Sequence, residues 1–333
     1  MPGPAFLTGG SGFVGGALLR RLADDGREVR ALARSPKAAR TVEALGGIPV
    51  AGDVFDEDAL LLGMRGCHTV FHAAGVNAMC LRDPEPMFRT NIGGSASVVR
   101  VAARAGVGRV VYTSSAATIG EPRGVVGAED TPHRGTFLSA YERSKFMAER
   151  RVFAIGAELG VEVVCVNPSS VQGPGRTDGS ARLLIGLVNA RLPTVVDTFL
   201  SIVDVDDCTR GHLAAEERGR AGTRYVLNGA CITTRRAVEL VRSVAMRPRH
   251  VIRVPRAGVT VAGSAAGWIA RLTHRDLPFC QELARTLLHG HRYDGSRATR
   301  ELGLTYRRIE ETIERTLGWY AERGLVRPIG GVP

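Results

Sequence analysis

Residues 5–15, AFLTGGSGFVG, decide the fold of this 333-residue chain. A short apolar run at residues 5–7 is followed by glycines at positions 9, 12 and 15 and then by a segment of helical periodicity that reaches residue 22. A strand, a glycine-rich turn and a helix in this order are typical of a dinucleotide-binding unit, in which the glycines permit a tight turn, close approach to a pyrophosphate and close helix packing. The helix N-terminus offers free N–H groups and a positive dipole end to phosphates. The residues predicted to contact the dinucleotide here are Thr8, Gly9, Ser11, Gly12, Phe13, Val14 and Gly15.

The alternation of strands and helices continues through the first half of the chain. Short β-branched runs predict strands at residues 28–34, 48–53, 69–72, 109–113 and 161–166, with helical segments such as 36–45 between them. This order predicts a parallel, doubly wound α/β sheet of the Rossmann type. After Pro168 the pattern loosens into turns, a short strand at 224–227 and several helices. We therefore expect a dinucleotide-binding domain over residues 1–168 and a smaller C-terminal substrate lobe over 169–333, with some segments returning to the sheet.

The end of the second predicted strand bears on the choice between NAD and NADP. An NAD site usually places Asp or Glu there for the ribose hydroxyls, whereas NADP requires a cation for its 2′-phosphate. Residues 31–34 read Ala-Leu-Ala-Arg and contain no acid, and Lys37 follows shortly after Arg34. The missing acid is the stronger observation, because arginine is frequent throughout this chain. The sequence favours NADP(H) over NAD(H), with Arg34 and Lys37 as the phosphate partners.

Two further strand ends supply candidate cofactor contacts. Asp53 and Val54 close the third strand, where a carboxylate can accept from the adenine amino group; Asp53 could equally be the N-cap of the next helix. The fourth strand ends in a histidine and small residues, and Ala73 and Ala74 leave room for the cofactor backbone. His72 itself is expected to be structural.

Tyr141 and Lys145 carry the predicted chemistry. Four residues apart on a helix, they project from the same face. A phenol titrates near 10, and a neighbouring ammonium is expected to lower that pKa, so that Tyr141 can exchange a proton with a substrate hydroxyl or carbonyl. Ser114 and Ser115 follow the fifth strand at the sheet edge where α/β proteins bind ligands, and a hydroxyl there can donate to the substrate oxygen.

The bulk composition narrows the remaining function classes. The formal net charge is +11, but the arginines are spread along the chain without a basic run, so nucleic-acid binding is not expected. Residues 259–270 are too few to span a bilayer and predict a packed helix of the second lobe. No secretory leader is expected, and the protein is assigned to the cytoplasm.

The six cysteines form no CxxC pair and no zinc-type cluster. We expect them to be reduced, with Cys165 as a small buried hydrophobe. His289 and His291 lack a third ligand nearby in the sequence, so no metal site is predicted.

These motifs together resemble the extended short-chain dehydrogenase/reductase family, in its NAD-dependent epimerase/dehydratase branch. The resemblance rests on TGGSGFVG, HAAG, TNIGG, VVYTSS, YERSK and NPSSVQGP, and it covers most of the chain. It implies that Ser115 polarises the substrate, with Ser114 as the alternative, that Tyr141 is the acid/base and that Lys145 is its partner and also holds the nicotinamide ribose. It further implies that Asn91 supports the cofactor edge. The residues that it places beside the nicotinamide are Pro168, Ser169 and Val171.

Within that family, the ending of the second strand looks most like dihydroflavonol-4-reductase and 3β-hydroxysteroid-dehydrogenase-like members. The leading hypothesis is an NADP(H)-dependent carbonyl reductase or alcohol dehydrogenase acting on a small molecule, with a homodimer left open. A nucleotide-sugar epimerase or dehydratase with bound NAD is the alternative enzyme. A non-catalytic NADP-binding regulator is the third hypothesis, although it has no need of Tyr141 and Lys145.

Three segments are predicted to roof the substrate pocket: residues 76–86, 116–140 and 169–200. The third is largely apolar, which favours a ring-bearing ketone or alcohol unless those residues form the core of the lobe itself. A sugar nucleotide would need convergent cations for its phosphates, and Arg176, Arg182 and Arg191 are the candidates in that segment.

Overall fold

The computed structural model describes residues 3–189, 194–245, 251–273, 277 and 279–326. Its main feature is a seven-stranded sheet in which every neighbouring pair is parallel, in the order β10-β6-β5-β4-β1-β2-β3. The described strands are β1 (Ala5–Thr8), β2 (Val29–Ala33), β3 (Ile48–Ala51), β4 (Thr69–His72), β5 (Arg109–Thr113), β6 (Glu162–Pro168), β7 (Ser170–Gln172), β8 (Thr194–Val195), β9 (Phe199–Asp204), β10 (Arg224–Leu227), β11 (Ala230–Thr233) and β12 (Ile252–Arg253).

Helices cover both faces of this sheet. The described α-helices are α1 (Phe13–Asp24), α2 (Pro36–Ala44), α3 (Glu57–Met64), α4 (Glu85–Phe88), α5 (Ser95–Arg104), α6 (Ala140–Leu159), α7 (Ser180–Val188), α8 (Val205–Arg218), α9 (Thr234–Ala245), α10 (Arg256–Thr273), α11 (Gln281–His289), α12 (Ser296–Leu302) and α13 (Ile309–Glu322). A π-helical stretch, Arg89–Gly94, leads into α5, and a 3-10 helix, Ala116–Ile119, follows β5. One apolar core joins the sheet to α1, α2 and α8, and a second joins it to α3, α5 and α6. The predicted doubly wound Rossmann-type fold is confirmed.

The strands form where apolar residues run without interruption. β5 and β6 are buried on both faces, and Val110, Val111, Val164 and Cys165 are fully inaccessible. Continuous apolar strands of this kind are expected in parallel sheets covered by helices on both sides. The prediction that Cys165 is a buried small hydrophobe is confirmed.

The second half of the chain builds a smaller set of elements and also returns to the main sheet. β10 pairs with β6, so the predicted strand at 224–227 closes one edge of the Rossmann sheet. β7, β9 and β11 form a three-stranded sheet, and β8 pairs with β12. Helices α7, α9 and α13 share a separate apolar core.

One expectation, about the cysteines, is wrong, and another, the packed helix, is confirmed. Cys80 and Cys280 form a disulfide across 200 residues of sequence, so these two cysteines are not reduced thiols. The helix predicted at 259–270 is present as α10 and packs on α11 through Val259, but its opposite face leaves Val261, Trp268 and Leu272 at least 65% exposed. None of the described helices is long and apolar enough to cross a membrane.

Candidate active site

The glycine-rich loop joins β1 to α1 at the centre of the main sheet. Gly9 has a φ of +79°, and a Cβ there would lie 2.7 Å from the backbone of Ala73 and Ala74. A Cβ on Gly15 would lie 2.2 Å from the carbonyl oxygen of Gly9, which explains why the turn requires glycine at both positions. α1 begins after Gly12 without any side-chain cap, so its first N–H groups are free to bind phosphate oxygens. The loop therefore fits a dinucleotide pyrophosphate.

The other predicted contacts of this loop differ in exposure. Ser11 is exposed, whereas Phe13 and Val14 are half-buried against the core. Thr8 is fully buried, and its Oγ1 lies 2.6 Å from Nδ1 of His72 and accepts from the Ala74 backbone N–H. The Thr8 hydroxyl is thus used inside the protein, where it fixes the end of β4 against β1.

His72 is structural, as expected. Its second ring nitrogen lies 2.8 Å from Ser95 Oγ, and the residue is almost completely buried. Burial, together with the nearby Lys145 ammonium, lowers the pKa of His72 to about 3. A neutral imidazole therefore links β1, β4 and α5 throughout the physiological pH range.

Arg34 and Lys37 lie on either side of the start of α2. Both side chains are exposed, and within the described part of the chain neither forms an ion pair. Ser35 caps the helix by accepting from the Ala38 backbone N–H. Two unengaged cations therefore follow β2 directly, beside the loop that carries the glycines.

Asp53 does not cap a helix. Its carboxylate accepts from the Phe55 backbone N–H, while Asp56 is the N-cap of α3. The alternative that Asp53 is an N-cap is therefore wrong. Asp53 lines a cavity of about 410 Å³ together with Phe55 and Arg89, whose guanidinium stacks 4.9 Å from the Phe55 ring. Val54 is buried in the core behind it.

Tyr141 lies in the first turn of α6, beside Ser115. Ser139 caps this helix, and the buried Glu142 accepts from the Leu138 backbone N–H, which together set the position of the first turn. Burial raises the pKa of Tyr141, and the Ser115 hydroxyl and the Arg176 guanidinium offset only part of this effect. Tyr141 and Ser115 thus come together at the carboxyl edge of the sheet.

The expectation that Lys145 lowers the pKa of Tyr141 is wrong for this structure. The Lys145 ammonium donates to the Tyr112 hydroxyl at 2.7 Å and to the Thr113 carbonyl at 2.8 Å, instead of to Tyr141. Burial lowers the pKa of Lys145 to about 8, although the Glu149 carboxylate opposes this shift. An ammonium has three donors, so one N–H remains for a further partner. Gly75 lies on the same side, because a Cβ there would stand 3.9 Å from the Lys145 nitrogen.

Ser114 and Ser115 have different partners. The Ser114 hydroxyl is buried and donates to Glu149, whereas Ser115 caps the 3-10 helix and lies beside Tyr141. The same Glu149 carboxylate accepts from Asn167 and Thr118, and its other oxygen binds Arg224. This buried group holds the strand ends that present Ser115. Sequence reasoning missed it, although Glu149 lies four residues after Lys145 on the same helix face.

Asn91 joins the segment after β4 to α6. Its side-chain oxygen accepts from the Val76 backbone N–H, and its amide donates to the Val76 carbonyl and to Ser144 Oγ. Ser144 in turn donates to the Tyr141 carbonyl. Asn91 therefore connects the predicted roof segment that begins at Val76 to α6, the helix that carries Tyr141 and Lys145.

Pro168, Ser169 and Val171 end β6 and begin β7. The Ser169 hydroxyl is buried without a hydrogen-bond partner among the described residues, so a polar ligand atom could pair with it. Pro168 is buried within β6, and Val171 is buried in the core beside Val203. The side chain of Val171 therefore packs in the interior instead of facing a cleft.

The apolar residues of the third roof segment form the core of the lobe. Ala181 and Val188 of α7 are buried against α9 and α13. Of the three arginines in that segment, Arg182 pairs with Asp178 at the surface and Arg191 lies outside the described residues. Arg176 is half-buried, stacks 5.6 Å from the Phe13 ring and acts electrostatically on Tyr141. The three cations therefore do not form a described convergent site.

Comparisons with known proteins agree with this geometry. The sequence model of the NAD-dependent epimerase/dehydratase family matches residues 5–227. The chain is 30% identical to a "putative dihydroflavonol 4-reductase" of Synechocystis sp., over 97% of this chain and 96% of the relative. It is 28% identical to "sterol demethylase protein B" of Methylococcus capsulatus, over 96% and 99% of the two chains. The crystal structure of gox2253 superimposes with a TM-score of 0.86 at 27% identity, covering 97% of this chain and 99% of the other.

The protein belongs to the NAD-dependent epimerase/dehydratase family, within the extended short-chain dehydrogenases/reductases. It is accordingly an NAD(P)-dependent oxidoreductase, and the resemblance seen in its motifs is confirmed.

Proposed function

We propose that the protein is an NADP(H)-dependent carbonyl reductase, or an alcohol dehydrogenase in the reverse direction, with Ser115, Tyr141 and Lys145 at its active site. The observation that carries this proposal is the placement of the Tyr141 phenol beside the Ser115 hydroxyl at the carboxyl edge of the parallel sheet. Ligands bind at that edge in open α/β sheets.

The loop of residues 8–15 and Lys145 would hold a nicotinamide cofactor at this edge, where it would supply hydride to the carbonyl carbon of the substrate. Ser115 donates a hydrogen bond to the carbonyl oxygen as negative charge develops there. Tyr141 gives its proton to the same oxygen, and the product is the alcohol. The raised pKa of Tyr141 keeps this proton on the phenol at neutral pH, as a proton donor requires. Its neighbours Ser115 and Arg176 stabilise the phenolate that remains.

The cofactor is proposed to lie across the loop of residues 8–15, with its adenine in the cavity beside Asp53 and Phe55. The exposed Arg34 and Lys37 are free to bind a 2′-phosphate, and no acid stands at the end of β2 to bind a ribose diol. Lys145 is proposed to use its remaining N–H on the nicotinamide ribose, and Asn91 keeps the adjoining segment in place.

The substrate is proposed to be a ring-bearing, largely apolar ketone or alcohol. The names of the two relatives refer to a flavonoid and to a sterol, both of which are ring compounds. The described residues also offer only Arg176, of the three candidate arginines, toward the diphosphate of a sugar nucleotide. The apolar character of α7 no longer supports this proposal, because α7 forms the core of the lobe.

The test is NADPH oxidation with a panel of aromatic and polycyclic ketones, run beside UDP- and dTDP-sugars. Saturable consumption of NADPH with at least one ketone is expected, and Tyr141→Phe should abolish most of it. Turnover of a sugar nucleotide without net loss of NADPH, and inactivity toward every ketone, would overturn the proposal.

A nucleotide-sugar epimerase is the second candidate, and Arg176 is the observation that favours it. A half-buried guanidinium that stacks on Phe13 and acts on Tyr141 could bind a phosphate of such a substrate. Arg176→Leu would then abolish sugar-nucleotide binding, whereas a ketone reductase should keep its affinity for an uncharged substrate.

A further inference from the structure

Three ligand-type side chains meet away from the residues proposed to hold the cofactor. Glu121 follows the 3-10 helix after Ser115, while His289 and His291 lie at the end of α11, about half the chain away. Oε1 of Glu121 lies 2.6 Å from Nδ1 of His291 and 3.3 Å from Nε2 of His289. The three ligand atoms all lie within 4.8 Å of one another. The expectation that the two histidines lack a third ligand is therefore wrong, because the fold supplies one from residue 121.

The protein satisfies only part of this cluster, because Nδ1 of His291 pairs with Oε1 of Glu121 and with the Tyr293 hydroxyl. The side chain of Glu121 is 1% exposed and that of His289 is 6% exposed. Nevertheless, Oε2 of Glu121 and Nε2 of His289 have no hydrogen-bond partner among the described residues. A buried carboxylate oxygen or imidazole nitrogen without a partner is costly to the folded state. Because both atoms lie in the same cluster, they indicate a missing ligand that binds the Glu121 carboxylate and the His289 imidazole together.

The backbone holds these side chains in place. Gly120, with a φ of +62°, turns the chain before Glu121, and its carbonyl accepts from the Arg134 backbone N–H. Gly290, with a φ of +72°, separates the two histidines, and a Cβ there would lie 2.7 Å from Thr198 Oγ1. The His291 carbonyl accepts from Ser201 Oγ. The ligand set is thus preorganised by turns that require glycine.

We propose that Glu121, His289 and His291 bind one divalent transition-metal ion of the zinc class. Two imidazoles and a carboxylate are a common ligand set for Zn²⁺. Tetrahedral zinc with bonds of about 2.0–2.1 Å separates its ligand atoms by about 3.3 Å, which is the distance found between Glu121 and His289. The 2.6 Å distance between Glu121 Oε1 and His291 Nδ1 would have to increase by less than about 1 Å to admit the ion. A water completes the tetrahedral site.

The guanidinium that hydrogen-bonds this segment is not directed into the cluster. Arg134 donates to the Glu121 carbonyl and to the Glu142 carboxylate instead of to the ligand oxygens.

The ion would connect the segment that follows Ser115 to the chain after α11. It would act as a structural clamp on a predicted roof segment, and no step of the proposed reduction depends on it. The site can therefore be tested separately from the catalytic function.

The experiment is a titration of chelator-treated full-length protein with Zn²⁺ against a chromophoric chelator, and with Co²⁺ followed by visible absorption. One equivalent should bind, with the intense visible bands of tetrahedral cobalt. Glu121→Gln, His289→Asn and His291→Asn should each weaken binding by more than about 100-fold, because even the loss of an outer hydrogen-bond partner of a metal ligand costs 10–100-fold.

Two controls separate this site from adventitious binding. His68→Asn removes an exposed histidine and Cys231→Ser removes the exposed free thiol, and both should bind like the unmodified protein. Circular dichroism and cofactor titration check that each variant folds. If a histidine variant does not fold, the isosteric Glu121→Gln variant still tests the proposal. Absence of a stoichiometric ion in the unmodified protein, or unchanged binding in Glu121→Gln, would overturn the proposal.

Discussion

The carboxyl edge of the main sheet, where the active site is proposed and which is called the catalytic edge below, and the C-terminal lobe are stabilised in different ways. At the catalytic edge, neighbouring strands and α6 form a continuous buried network in which Lys145 binds Thr113 and Glu149 binds Ser114 and Asn167. The lobe contacts the predicted roof segments through links between residues far apart in the sequence. They include the Cys80–Cys280 disulfide, the bond from the Ala140 backbone N–H to Glu282, the Glu121–His291 pair and the backbone pairing of Gly127 with Tyr293.

This difference separates the residues that are proposed to carry out the reaction from those that hold the segments over the site. Residues in the network are fixed by many partners, so a substitution that breaks none of those bonds, such as Tyr141→Phe, should alter the reaction while leaving the fold intact. Residues in the cross-links each join segments that are distant in sequence, so their loss should alter stability or the position of the roof. The predictions below test this division.

The largest effect is expected for Tyr141→Phe. Removing the proton donor should lower kcat for ketone reduction by about 10²–10⁴-fold, because general acid catalysis contributes that much. Cofactor titration should be unchanged, since the aromatic ring remains in place. Tyr306→Phe, which removes a half-buried phenol from a bond to the Gly295 carbonyl, is the matched control and should retain activity. Comparable activity in both variants would contradict the assigned role.

The second effect concerns the lobe. Cys280→Ser, or reduction of the disulfide, should lower the free energy of unfolding by about 2–4 kcal/mol, because the bond closes a very long loop. Urea unfolding followed by circular dichroism measures this change. The affinity for NADP(H) should not change, since the network at the catalytic edge is intact. Cys231→Ser removes an exposed free thiol and should leave the stability as it is.

The third effect concerns the preference for NADPH over NADH, which is assigned to Arg34 at the end of β2. Arg34→Asp should weaken NADPH binding by about 10–100-fold, the value of a hydrogen bond to a charged group, and should affect NADH little. Fluorescence titration of both cofactors measures the ratio. Arg40→Asp changes the same charge on the exposed side of α2 and should keep the preference for NADPH. Equal binding of NADH by the unmodified protein would contradict the assignment.

The smallest effect is a pH dependence. Burial favours the neutral amine of Lys145, so its charged form is lost as the pH rises through about 8, well below the usual value for lysine. If the ammonium is required, kcat for ketone reduction should fall about tenfold by pH 9. The rate profile of Lys145→Arg should lack this step, because a guanidinium keeps its charge. A flat profile for the unmodified protein between pH 7 and 9 would show that the charge of Lys145 is not needed.

Local patterns located the glycine-rich loop and the residues that meet at the carboxyl edge of the sheet. The glycines at 9, 12 and 15 and the Tyr141–Lys145 spacing each lie within a few residues, so the periodicity of one element reveals them. The different partners of Ser114 and Ser115 could not be predicted in this way, because Glu149 reaches the strand end only after α6 packs on the sheet. Likewise, Cys80 meets Cys280, and Glu121 meets His291, only through tertiary packing. No spacing rule connects residues so far apart.

The most direct test of the proposed reaction follows the fate of the transferred hydride. NADPH deuterated at the reacting C4 position is incubated with a ketone that the enzyme turns over, and the released alcohol is examined by mass spectrometry and NMR. The proposed mechanism predicts one deuterium per product molecule, at the former carbonyl carbon and in one configuration, with one NADP⁺ formed per turnover. Product without deuterium, or conversion of a sugar nucleotide with no net oxidation of NADPH, would contradict it.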